Sequence, residues 1–336
     1  MPSKKIIAIV VAAALAVAGG GTAIAVGSAE ADSAPLAVSG YADVLTSHAE
    51  ILKSSPAMST VVVDGVNLTA DGSGITKVSA DALASLETAH QLGKRAELVV
   101  GNFDETIGDF SPAIARALLG SDDNIAAVVS ALDKEVKLHG WDGVTVDIES
   151  ISKADASGLT SFVRELSEEL AETKSVAVCI QATTESYGDL GYQLATLAKH
   201  SDRLVLMAYD QHGPWSEAGA IGGSAWVTQA LAPVLAKVRA SKVDLGIAGY
   251  GYTWPADGTT GRQLSNSDAR ALVAADGSAP KWSKKQKEWH ATLSNGTVLW
   301  WSDRRSYAAR YEIARSLHLH GVSLWNLSLS DRIHVQ

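Results

Sequence analysis

The chain has 336 residues, a formal net charge of −9 and one cysteine. No basic field exists to draw in phosphates, which argues against nucleic acid or anionic lipid as the main partner. A single cysteine excludes an intrachain disulfide, and no CxxC or Cys/His spacing suggests a structural metal. Hydrophobic residues make up 46% and charged residues 19%. That is a globular balance with enough apolar surface for a large core.

In chain order, Lys4 and Lys5 precede an apolar stretch from Ile6 to Val26, and a small-x-small triplet, Ala29-Glu30-Ala31, follows it. This is the pattern of a secretory signal over residues 1–31. The alternative is an uncleaved anchor, because an apolar span of about 20 residues can cross a bilayer. The triplet Gly19-Gly20-Gly21 weakens that alternative. Either reading puts the body of the protein outside the cytoplasm: secreted, in the cell wall, or anchored and facing outward.

A short linker, 32–37, leads into the folded body, 38–336. Strand patterns fall at Val38–Asp43, Thr60–Leu68 and Ala96–Phe103, with a helix from Ser79 to Leu92 between the second and third. A helix over Asp122–His139 has apolar positions at 125, 128, 129, 132 and 136, and Gly140 stops it. The fourth strand lies in Trp141–Ser150. Helix and strand then alternate: Asp155–Thr173, Ser175–Thr183, Leu190–His200, Arg203–Asp210, Trp226–Ala240, Val243–Tyr252, Tyr307–His320 and Gly321–Leu327.

Eight strands alternating with helices predict an α/β fold, a (β/α)8 TIM barrel. A doubly wound sheet would carry a Gly-rich phosphate turn after an early strand, and none occurs. The segment after Tyr252 is too long for a simple connection. Residues 255–300, rich in tryptophan, predict a small subdomain inserted between strands seven and eight and leaning over the barrel mouth. Lys281–Glu288 within it reads as a solvated run.

In such a barrel the active site lies at the carboxyl ends of the strands. In the fourth strand Val144, Val146 and Ile148 alternate with Thr145, Asp147 and Glu149. The polar set therefore shares one face, with Asp147 and Glu149 about 7 Å apart along the strand. Glu149, as the last strand residue, projects into the mouth. The sixth strand brings Met207, Tyr209 and Asp210 to the same place, and the eighth brings Trp325. Tyr41, Trp254 and Trp215 are further aromatic candidates. An aromatic floor with carboxylates and hydroxyls suits a sugar. Cys179 reads as a small buried hydrophobe, His212 as a loop-shaping residue and Asp142 as a structural turn residue.

The run Asp142-Gly143-Val144-Thr145-Val146-Asp147-Ile148-Glu149 resembles the DGxDxDxE signature of family 18 glycoside hydrolases, the chitinase-like family. Met207-Ala208-Tyr209-Asp210 resembles that family's sixth-strand M-x-Y-D. Gly249-Tyr250-Gly251-Tyr252 and Trp325 resemble its last two strands. Ala208–Gly219 is most similar to the bacterial spore-cortex type, which are peptidoglycan N-acetylglucosaminidases. The resemblance implies cleavage of β-linked N-acetylglucosamine polymers, peptidoglycan in preference to chitin, by a substrate-assisted retaining mechanism. It implies a monomer with no cofactor and no metal. It also implies roles: Glu149 as acid and base, Asp147 and Tyr209 on the sugar's acetamido group, Trp325 beneath it, and Asp210 and Met207 lining the pocket.

One position departs from the signature. Thr145 stands where the family has its first inner aspartate. A hydroxyl there can hydrogen-bond Asp147 but cannot take its charge, so Asp147 is expected to stay more fully ionised. The same departure motivates an alternative function, a non-catalytic glycan-binding barrel of the cell surface.

Overall fold

The computed structural model describes residues 35–334. The stretch read as a signal or anchor lies outside the described residues, as do residues 32–34 of the linker. Among the described residues, no helix is long and apolar enough to cross a membrane.

The elements run β1 (Ala37–Ala42), α1 (His48–Ser54), β2 (Thr60–Asn67), α2 (Ala80–Gln91) and β3 (Arg95–Gly101). A short hairpin follows, β4 (Phe103–Asp104) and β5 (Asp109–Phe110), then α3 (Pro112–Leu119) and α4 (Asp122–His139). Next come β6 (Gly143–Asp147), α5 (Ala156–Glu169), β7 (Ser175–Gln181), α6 (Leu194–His200), β8 (Arg203–Met207), α7 (Ser224–Leu235) and β9 (Val243–Ala248). The inserted part holds β10 (Tyr250–Trp254), β11 (Gln263–Ser265), α8 (Asn266–Asp276), β12 (Lys281–Ser283), β13 (Glu288–Thr292) and β14 (Val298–Trp301). The chain closes with α9 (Arg304–Ser316) and β15 (Gly321–Trp325).

Eight of these strands form a closed barrel in the order β1-β15-β9-β8-β7-β6-β3-β2, parallel at every pairing. The fold is a (β/α)8 barrel. Local chemistry sets the helix ends. The hydroxyls of Ser79, Ser111 and Ser121 accept from the backbone at the starts of α2, α3 and α4. Gly140 ends α4 at φ 80°, a left-handed conformation that favours glycine. Gly143 opens β6 where a Cβ would meet the Ser175 carbonyl oxygen at 2.4 Å, so only glycine lets these strands approach.

Period-two alternation separates two cores. Val144 and Val146 of β6, with Val61, Val63, Leu98 and Leu204, face outward into the layer packed by the helices. Inside the barrel a smaller cluster holds Tyr41, Val62, Val99, Ala177, Cys179, Val205 and Met207. Below it, at the amino ends of the strands, lies a buried ion network. The Arg203 guanidinium bonds Glu97 and, through Nε at 3.0 Å, Asp244. Ser175 and Thr145 donate to Glu97 at 2.7 and 3.0 Å.

The inserted part forms its own antiparallel sheet, β11-β10-β14-β13-β12. Trp282, Trp289 and Trp301 serve that sheet, while Trp254 and Trp300 pack with Tyr209 and Trp325 on a second cluster around Tyr250 and Tyr252. Trp301 is buried with Leu264, Ala269 and Leu299, Trp289 stacks on Trp301, and Arg305 covers Trp282 at 4.1 Å. The run Val243–Tyr252, read as one seventh strand, is two: β9 stays in the barrel and β10 enters the inserted sheet. Lys281–Glu288 is not wholly a solvated run. Glu288 is buried, accepts from the N–H groups of Ile221 and Gly222 at 2.7 and 2.9 Å, and pairs with Arg310 of α9 at 3.1 Å. The inserted sheet is thereby tied to a barrel helix and to the loop after β8.

Candidate active site

A cavity of about 600 Å³ opens at the carboxyl ends of β6, β7 and β8. Glu149, Gln181, Met207, Tyr209 and Asp210 line it, with Phe110 and Trp215 at its sides. Another cavity, of about 590 Å³, runs along α9 and is lined by Arg304, Arg305 and Tyr311. Its one carboxylate, Glu312, is exposed and paired with Arg315 at 3.0 Å, whereas the barrel mouth gathers carboxyls whose pKa burial raises, so the mouth is the chemical centre.

β6 ends at Asp147, and Glu149 lies two residues past it rather than within the strand. Its position is nonetheless held firmly. Asn102, buried after β3, accepts from the Glu149 N–H at 2.9 Å and donates to the Glu149 carbonyl at 3.0 Å. Gln181, the last residue of β7, donates its side-chain amide to Glu149 Oε2 at 2.7 Å. Burial, then the charge of Asp147, raises the pKa of Glu149 well above the usual carboxyl range.

Asp147 is buried, and its Oδ1 has no hydrogen-bond partner. Buried carboxyl oxygens are rarely left so, and this one is a vacant acceptor. Thr145 does not serve it: its hydroxyl turns to Glu97 instead. Nor does Asp147 sit in the ordinary carboxylate range. Burial, then the charge of Asp64, raises its pKa. Burial thus works against the more fully ionised Asp147 that the loss of a proton-sharing neighbour implies.

The remaining candidates fall into two groups. Tyr41 packs edge-on against Trp325 at 5.3 Å, and its hydroxyl meets Cys179 Sγ at 3.4 Å. Tyr209 lines the cavity, and Trp325, which is not among the lining residues, packs with it on the same inner cluster. Burial pushes the Tyr209 hydroxyl pKa well up, so the phenol remains a donor. Asp210 adopts φ 59°, and its Oδ1 accepts from Tyr250 and Tyr252 at 2.6 and 3.0 Å. Trp254 stands apart from the lining. Its indole N–H donates to the carbonyls of Gly213 and Ser216, bracing the loop that carries the exposed Trp215. His212 shapes the same loop through Ala220 at 2.9 Å. Asp142 lies at the opposite end, accepting from the Ala96 N–H and bonding His90, both at 2.9 Å.

Gln181 and Asn102 were not among the sequence candidates. The signal for Gln181 was present: it is in phase with Ala177 and Cys179, which face the interior. Asn102 had no such signal, since its contacts to Glu149 span 47 positions.

A closed parallel barrel with carboxyls, a phenol and aromatic rings gathered at its strand ends is the architecture of a carbohydrate-active enzyme. Residues 58–330 match Glycosyl hydrolases family 18, and the chain belongs to that family. It is a chitinase-like glycoside hydrolase. The glycosylase YvbX of Bacillus subtilis is 24% identical over 240 residues, 68% of this chain and 70% of YvbX. The cortical fragment-lytic enzyme of the same organism is 23% identical over 241 residues, 66% of this chain and 54% of that protein. The chain therefore matches only about half of that enzyme's length. Among solved structures, a chitinase from Chromobacterium violaceum superimposes with TM-score 0.78 at 26% identity, covering 88% of this chain and 96% of the other. The Bacillus cereus spore cortex-lytic enzyme SleL has the same TM-score at 17% identity, covering 88% and 71%, a likeness of fold.

Proposed function

We propose that this protein cleaves β-linked N-acetylglucosamine glycans outside the cytoplasm, peptidoglycan in preference to chitin, by a substrate-assisted retaining mechanism. The observation that carries the mechanism is the vacant buried acceptor, Asp147 Oδ1, next to a carboxyl whose pKa is raised, Glu149. The acetamido N–H of the sugar donates to Asp147. The acetamido oxygen attacks the anomeric carbon while Glu149 gives its proton to the leaving oxygen. Glu149, now a carboxylate, takes a proton from the water that opens the oxazolinium ring. Tyr209 donates to the acetyl oxygen, and Trp325 supports the methyl group. The likeness to the cortical fragment-lytic enzyme supports a wall glycan, and the N-terminal pattern supports export. Reducing-sugar release from peptidoglycan and from chitin oligosaccharides, compared with Glu149→Gln, tests the reading. Equal release by both proteins would sink it, and tight binding with no release by either would favour the non-catalytic barrel.

The raised pKa of Glu149 determines the pH profile. The acid must be protonated, so kcat/KM holds through neutral pH and falls as pH rises through the raised value. Its contribution to stability is likewise present below the unfolded carboxyl pKa and is lost as pH rises through the folded one. The Gln181 amide favours the carboxylate and lowers the pKa. Gln181→Leu should therefore move the alkaline limb to higher pH. An unmoved limb would show that the donor does not reach the acid in solution.

Asn102 positions Glu149 without meeting substrate. Asn102→Ala is expected to lower kcat by about 10²-fold, the scale of a misplacement of about 1 Å, with little change in KM. Steady-state kinetics checks it: a KM rise at constant kcat would make Asn102 a binding residue instead.

A further inference from the structure

We infer that the cleft selects its glycan by charge: sugars beside the scissile bond are accepted with neutral or cationic substituents, and free carboxylates there are disfavoured. This deepens the proposed activity and rests on it. Asp109 and Asp210 line the cavity beside Glu149, which is protonated while the enzyme works and adds no charge, and no described lining residue is lysine, arginine or histidine. The loops at its edge, 102–111, 182–193 and 208–223, hold seven aspartates and glutamates and no lysine or arginine. These three loops thus hold seven of the chain's 37 acidic residues and none of its 28 lysines and arginines. A second sign comes from the end of β6, two residues before Glu149. Asp147 Oδ1 is buried and unpartnered, an acceptor that an N–H satisfies and an anion cannot.

In a half-enclosed site the effective dielectric is well below that of water, so a substrate carboxylate a few ångströms from these groups is repelled. N-acetylmuramic acid carries such a carboxyl on its lactyl ether. When that carboxyl is amide-linked to a peptide, the charge beside the ring is gone. When the peptide is stripped, the charge returns. Glucosamine, with a free ammonium, meets the opposite field. The cleft thus fits a glycan whose muramyl carboxyls are masked, or a partly deacetylated chitin, better than a stripped wall strand.

The test uses peptide-free strands alternating N-acetylglucosamine and N-acetylmuramic acid, with carboxylates either free or converted to methylamides. At low salt the methylamide form is expected to be cleaved with kcat/KM at least about ten-fold higher. The ratio should shrink toward one in about 0.5 M NaCl, where exposed charges are screened. Asp109→Lys should narrow the low-salt ratio in the same direction. Equal kcat/KM for the two forms at low salt overturns the inference. If neither form nor a chitin hexamer is cleaved, the proposed activity fails. The affinities of the two forms for the wild-type chain then decide charge selection, and equal affinities overturn it.

Discussion

Glu149→Gln is expected to lower kcat on N-acetylglucosamine glycans by about 10²–10⁴-fold, the usual worth of a positioned general acid and base, with KM little changed. Glutamine keeps the shape of the side chain and can still meet Gln181 and the clamped backbone at Asn102. It cannot release a proton to the leaving oxygen or later take one from water. The effect is thus confined to the chemical step, and single-turnover kinetics should place it there. A loss appearing mainly in KM would mean that Glu149 binds rather than reacts. The variant should also lose the alkaline limb, because that limb is the titration of the residue removed.

Arg203→Met should lower stability by about 3–5 kcal/mol, the cost of breaking a buried ion pair by removing one partner. Glu97 and Asp244 are each 1% exposed, and Arg203 is the cation they share. Burial would raise the Glu97 pKa, yet the Arg203 charge and hydrogen bonds hold it below the usual range. Without Arg203, two carboxylates remain in the barrel with Ser175, Thr145 and His320 as their polar company. The urea midpoint measures the loss. The deficit should narrow as pH falls, because the orphaned acids can then take protons. A deficit that is constant with pH would trace the loss to packing rather than charge. The same network accounts for Thr145: its hydroxyl is committed to Glu97, so the position the family fills with an aspartate belongs here to the barrel floor.

Much of this was legible before any coordinates. Strand period two put Asp147 and Glu149 on one face, Gly140 marked the end of α4, and the helix read from Ser79 to Leu92 agrees with α2 to within a residue at each end. What was illegible depended on contacts distant in the chain. Val243–Tyr252 reads as one apolar run, and only pairing decides that β9 joins the barrel and β10 leaves it. Trp254 looks like any sugar-stacking tryptophan until its indole is seen to bond Gly213 and Ser216. Glu288 sits in a charged run and looks solvated until Arg310 and two backbone N–H groups are found around it.

By itself the sequence determined the barrel, the family and the pair of carboxyls, because these rest on periodicity and on motifs a few residues long. Only the tertiary structure decided the state of those carboxyls. Desolvation and long-range charge raise both, Gln181 and Asn102 aim one of them, and Thr145 turns away toward Glu97. The acids around the mouth lie on loops separate in sequence, and the field they make exists only where the fold gathers them.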